Sequence, residues 1–260
     1  MNELTTSLAA FASLVALVFA LVTADRWHRR RLTHHSAWAM AMSLFAVGSF
    51  ALWWATATGW SNGVFRVFFT AGAVLNVAWL ALGSIALLTG DRIALPLRRI
   101  LALLSAFAVG VMVVAPTTKP FIADEFPRAR DHFGALPRIL AAIGSGVPAL
   151  IIILGALWSI ARLVAKRTPA FAGARRLGAV TPRRLVASNV LIALGTLVLS
   201  ASGSLAGRFG EERAFTITLS VGVVILFVGF LVPSARTTER PASFQLNQQR
   251  YGEQGYGERS

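Results

Sequence analysis

Seven long stretches of this chain contain no acidic side chain, and their basic ones sit only at the ends: Leu4–Ala24, Ala37–Ala57, Val64–Thr89, Leu97–Ala115, Arg138–Ala161, Leu185–Ala206 and Phe215–Pro233. Each is close to the ~20 residues that cross a ~30 Å hydrocarbon layer at a rise of 1.5 Å per residue. Inside lipid the backbone must satisfy its own hydrogen bonds, so such a stretch folds as a helix. The whole chain agrees, with 14% charged and 55% hydrophobic residues and a mean hydropathy of +0.64. Soluble domains carry roughly a quarter charged residues. The expected fold is an all-α integral membrane protein, a seven-transmembrane-helix bundle over residues 1–235. The connections Pro116–Pro137 and Arg162–Arg184 are too short to bury cores of their own. Residues 236–260 are polar, contain the near-repeat "YGEQ"/"YGER" and are read as a disordered cytoplasmic tail.

The charges report sidedness. "DRWHRRRLTHH" (25–35) packs four arginines beside the first stretch, whereas "MNELTTS" before it has no basic residue. A cleavable signal peptide has the opposite arrangement, so the first stretch is expected to be a retained helix with its N-terminus outside. With alternating crossings, 18 of the 25 lysines and arginines then fall inside and 7 outside. Basic residues held on the cytoplasmic side are what membrane insertion produces, which places the chain in the plasma membrane. Anionic head groups on the cytoplasmic face are the expected lipid contact. Nucleic-acid binding is excluded, because no folded module carries base-reading or stacking groups. Trp27 and the Trp53, Trp54 and Trp60 group fit interfacial belts.

Several chemistries lack their residues. All eleven carboxylates lie outside the apolar stretches, which removes the buried acid of proton- or sodium-coupled carriers. His28, His34, His35 and His132 fall in loops or at helix edges, away from where a bundle holds haem; the first three read as part of a solvated basic loop. Cysteine is absent, so disulfides and thiolate chemistry are excluded. The last stretch has no lysine for a retinal Schiff base, and no helix offers a histidine as base for a serine nucleophile. Neither an enzyme nor a bound cofactor or metal is expected.

The remaining polar residues form a seam. In the third stretch Arg66, Thr70, Ala73 and Ser84 fall within about 60° of arc at 100° per residue, with Asn76 alongside. In the sixth, Asn189, Thr196, Ser200, Gly203 and Gly207 form one stripe and Ser188, Gly195 and Ser202 a second. The fifth aligns Gly144, Pro148, Gly155 and Ser159, with a kink predicted at Pro148. Stretches three, five and six are therefore expected at the centre. Small and hydroxyl residues pack helices together. Arg66 and Arg138, near the outer surface, are a candidate site for an anionic head group or ligand, with Asn76, Asn189, Thr196 and Ser200 along the seam beneath.

The segment "GWSNGVFRVFFTAGAVLNVAWLALGS" (59–84) carries Gly59-Trp60, Phe65-Arg66, Phe68 and Phe69, Gly72-Ala73, and Leu80 through Gly83-Ser84. It resembles seven-helix membrane proteins of bacteria, especially actinobacterial ones without an assigned function, and is loosely similar to the seven-helix sensory region that precedes some histidine kinases. The polar residues after Pro233 contain no kinase domain. The functional expectation is a non-catalytic sensor, scaffold or accessory subunit of a membrane complex, meeting other membrane subunits through its tail and through the mixed-charge, proline-rich loop 116–137. The alternative is a small uncoupled permease or flippase-like transporter using the seam.

Overall fold

The structure, a computed structural model, describes residues 3–165, 182–209 and 212–232. They are almost entirely helical, with a single isolated β-bridge between Thr117 and Phe133. α1 (Glu3–Arg30) and α2 (Thr33–Thr58) form a hairpin. α3 (Asn62–Phe68), a π-helical turn (Phe69–Leu75) and α4 (Asn76–Thr89) make one continuous rod. α5 (Asp91–Val114) follows, then a loop holding the short α6 (Ala129–His132). α7 (Ala135–Ala141), a second π-helical turn (Ala142–Gly146) and α8 (Val147–Val164) form another rod. α9 (Pro182–Phe209) and α10 (Glu212–Leu231) complete the bundle. The expected tail, 236–260, lies outside the described residues.

Six of these helices are long and apolar enough to cross a membrane; α9 carries a shorter apolar part, Val186–Ser200. Their outward faces are greasy: Leu103, Val113 and Val114 on α5, Leu154 on α8, and Leu14 and Leu21 on α1 are all exposed. Apolar surface on that scale belongs in lipid, so the chain is a multi-pass membrane protein.

Six rods close into a ring, in the order α1, α2, α3/α4, α7/α8, α9, α10 and back to α1, while α5 packs outside against α4 and α7. The ring closes where Ser220 of α10 donates to the Leu8 carbonyl of α1. Alanine sets the α1–α2 spacing: Ala9, Ala12 and Ala16 are fully buried, as are Ala37, Ala41 and Ala55. Side chains that small let helix axes approach closely, which van der Waals packing in lipid rewards. The inward rods therefore differ from those expected from polar residues alone. α2 and the α3/α4 rod are the most enclosed, whereas the α7/α8 rod, expected at the centre, is largely exposed.

One end of the bundle, hereafter the basic end, carries Arg26–Arg31 and the starts of α2 and α5. There the solvated loop expected at His34 and His35 is corrected. Only Arg31 and Leu32 connect α1 to α2, so both histidines fall in the first turn of α2, buried beside Trp38. Arg31 makes the turn at φ +52° and donates its N–H to the Trp27 carbonyl. Deeper, Gly83 makes room for the Trp38 indole, which any β-carbon there would strike.

The other end, the loop end, is covered by residues 116–134. Thr118 pairs with the Asp131 and His132 carbonyls, and the Phe121 ring stacks on His132 at 4.1 Å. Gly59, at φ +99°, ends α2 and lets the chain turn so that Trp60 donates its N–H to the Ala123 carbonyl at 2.9 Å. The segment expected to meet other subunits is thus folded onto the bundle.

Candidate functional site

Inside the ring, at the loop end, lies a cavity of about 550 Å³. Its roof is the loop, through Phe126, Pro127 and Arg128. Phe65, Phe68 and Phe69 wall the upper part, with Phe215 and Leu219 of α10 opposite. Lower down it is lined by Asn76, Thr196, Ser145 and Ser49, ending near Leu80 and Ala149. Asn76 lies eleven residues, more than two helical turns, beyond Phe65 along the rod. Volume and lining, mostly apolar with a few convergent polar groups, are those of a small-molecule site.

Both π-helical turns border this space. Gly72 and Ala73 come from the first, Ala142, Ser145 and Gly146 from the second. The second turn has a local cause. Pro148 has no N–H to give the Gly144 carbonyl and its ring crowds that carbonyl, so the kink predicted from sequence takes the form of a widened turn just before it. The first turn is gripped on two sides by glycines. A β-carbon at Gly144 would collide with the Val74 carbonyl oxygen, and one at Gly48 would come within 3.3 Å of the Gly72 nitrogen. The backbones meet directly there, fixing the cavity walls. On the cavity side, β-carbons at Gly72 or Gly146 would meet nothing within 4 Å.

Asn76 is the unusual group. It is 4% exposed, and its Oδ1 has no hydrogen-bond partner. An unsatisfied buried polar atom costs about 1–3 kcal/mol, which structural packing alone does not require. Thr196 Oγ1 donates to the Ile192 carbonyl and Ser145 Oγ to the Ala141 carbonyl, leaving their oxygens able to accept from a guest.

The sequence-predicted residues separate into groups. Asn76, Thr196 and Ser200 meet in the cavity. Arg66 does not line it: its Nε donates to Asn62, and its two terminal nitrogens donate to the carbonyls of Met112, Val113 and Ala115, with the Phe133 ring beneath the guanidinium. Its donors are aimed at the C-terminus of α5, where unpaired carbonyls and the negative end of the helix dipole attract a cation. Arg138 is exposed on α7, outside the cavity lining. Asn189 belongs to α9, but its side chain is outside those described. The second stripe of the sixth stretch serves packing: Ser188 donates to the Gly229 carbonyl, and Gly195 abuts Leu226 and Gly222.

Arg128 was missed. It lines the roof half-buried and its side chain has no hydrogen bond or ion pair among the described residues, while its neighbours Lys119 and Arg130 both reach Asp131. Nothing in its local sequence separates it from those two. The same holds for Ser49 and Ser145, lone serines without periodic partners.

Toward the basic end the interior is tight; a void near Ser84, Ile152 and Ile192 measures only about 10 Å³. Among the described residues no group of three or more His, Asp or Glu side chains is placed to hold a metal ion. Set beside known proteins, the chain matches no family model, no curated protein and no solved structure.

Proposed function

We propose that this chain is a seven-span plasma-membrane protein, loop end outside and basic end in the cytoplasm, that works as a non-catalytic ligand-binding sensor or accessory subunit. One observation carries the reading: a roofed cavity of about 550 Å³, confined to the loop half and holding a buried Asn76 whose Oδ1 lacks a partner. Seven spans are supported by α9, whose 28 residues are long enough to cross although its apolar part is shorter. The orientation is supported by the 18 basic residues that it leaves inside, against 7 outside.

Binding is favoured over passage because the cavity ends at mid-bundle. Below Leu80 the rods close on one another around Trp38 and Gly83. A guest entering from outside would reach a floor. Signals would leave through rods that run the full depth, α2 and α3/α4, whose basic ends are available to cytoplasmic partners.

The test is occupancy. Protein extracted with mild detergent from its own membrane is analysed by native mass spectrometry beside Gly72→Leu, whose side chain grows into the cavity. A bound small molecule present in the wild type and lost in the variant supports the reading. Identical spectra from the two proteins sink it.

A further inference from the structure

Resting on that reading, the cavity's shape and polar groups narrow its ligand. We propose that it holds a single-chain amphiphile with an anionic head group at Arg128, its hydrocarbon running down the phenylalanine wall and a second polar group, a hydroxyl, at Asn76.

Three observations place the parts. First, the space has the size of a small-molecule site, about 550 Å³ between a roof at Phe126, Pro127 and Arg128 and a floor near Leu80 and Ala149. Second, among the described residues Arg128 is the only cationic side chain in the lining, at the roof, half-buried and without an anionic partner. An arginine fork at such a position matches the geometry of a carboxylate or phosphate. Arg66, also near this end, is already turned to the α5 carbonyls. Third, the far end is polar where a purely apolar chain would want hydrocarbon. Asn76 lines this depth with a buried amide whose Oδ1 has no hydrogen-bond partner, and Thr196 and Ser145 line it too. A hydroxyl both donates and accepts, so it pairs with whichever amide atom faces the cavity. The wall between the two polar ends is Phe65, Phe68, Phe69 and Phe215, which excludes water from a chain lying against it.

The experiment uses the full chain in phosphatidylcholine nanodiscs and three probes: ω-hydroxydodecanoate, dodecanoate and dodecanol. The hydroxy acid is expected to bind saturably and tightest. Arg128→Gln should weaken both acids at least tenfold and leave dodecanol unchanged. Asn76→Leu should weaken the hydroxy acid at least tenfold relative to dodecanoate. If Gly72→Leu removes binding of all three probes but Arg128→Gln treats acids and alcohol alike, the cavity reading stands and this ligand class is overturned. If no probe binds in a manner that depends on Gly72, both are overturned. A lysophosphatidate added as competitor tells the sources of the anion apart: displacement of the acid supports a single-chain membrane lipid, and failure to displace supports a free carboxylate.

Discussion

The Arg66 guanidinium donates to the Ala115 carbonyl at 2.6 Å, joining positions 49 apart in the chain. With its further bonds to Met112 and Val113, it clamps the peripheral helix α5 onto the α3/α4 rod. A second polar tie between those elements is Trp79 Nε1 donating to Ser105 Oγ at 3.2 Å. Arg66→Gln should therefore cost about 2 kcal/mol, the scale of hydrogen bonds to a charged group. Arg66→Lys should recover little, since a point ammonium cannot span three carbonyls. Thermal unfolding in detergent followed by tryptophan fluorescence checks both; an Arg66→Lys as stable as wild type would contradict the clamp.

Glycines of one sequence type should behave oppositely. Gly144→Ala drives a methyl into the Val74 carbonyl and is expected to destabilise by about 1–3 kcal/mol. Gly72→Ala, whose methyl would enter the cavity, should be neutral or stabilise by up to about 1 kcal/mol through helix propensity. Equal melting temperatures for the pair would mean that the two π-helical turns are not in contact.

Asn76→Leu is expected to raise the stability of the ligand-free protein. The substitution removes an unpartnered Oδ1 at 4% exposure and offers apolar volume to an apolar cavity, a gain of about 1–3 kcal/mol. Comparison of melting temperatures after delipidation reads this directly. A drop would show that the amide is satisfied in the native protein.

The roof over the cavity hangs on Phe133, which is 2% exposed, stacks on Phe65 at 5.3 Å and touches Phe69. Phe133→Ala should cost about 3–5 kcal/mol of local packing. Because Arg128 and Arg130 lie in this segment, trypsin added from the loop side should cut the variant much faster than the wild type. Unchanged cleavage would show that the roof is held elsewhere.

Sidedness is testable without background, since the chain has no cysteine. Single replacements Glu125→Cys and Arg29→Cys, both at exposed positions, should react with an impermeant maleimide in intact cells and only after permeabilisation, respectively. The reverse pattern would invert the proposed topology.

The seam itself was half legible. Asn76, Thr196 and Ser200 stand out in sequence because polar side chains are scarce in apolar stretches, and they do converge. Arg66 stands out for the same reason, yet hydrogen-bonds a helix end. A lone intramembrane arginine has the same sequence signature whether it meets a ligand or a carbonyl.

Membrane character and an all-helical fold were determined by the sequence alone, because a bilayer makes local demands: each run must be apolar over a set length and satisfy its own backbone. The order of the rods around the ring, the displacement of α5 and the burial of His34 and His35 were decided only by tertiary structure. Those depend on which alanine and glycine faces can approach most closely, a property of pairs of helices. The cavity is the clearest case, since it exists where two widened turns and a folded loop fail to fill the space between five elements, and no single stretch of sequence encodes a space.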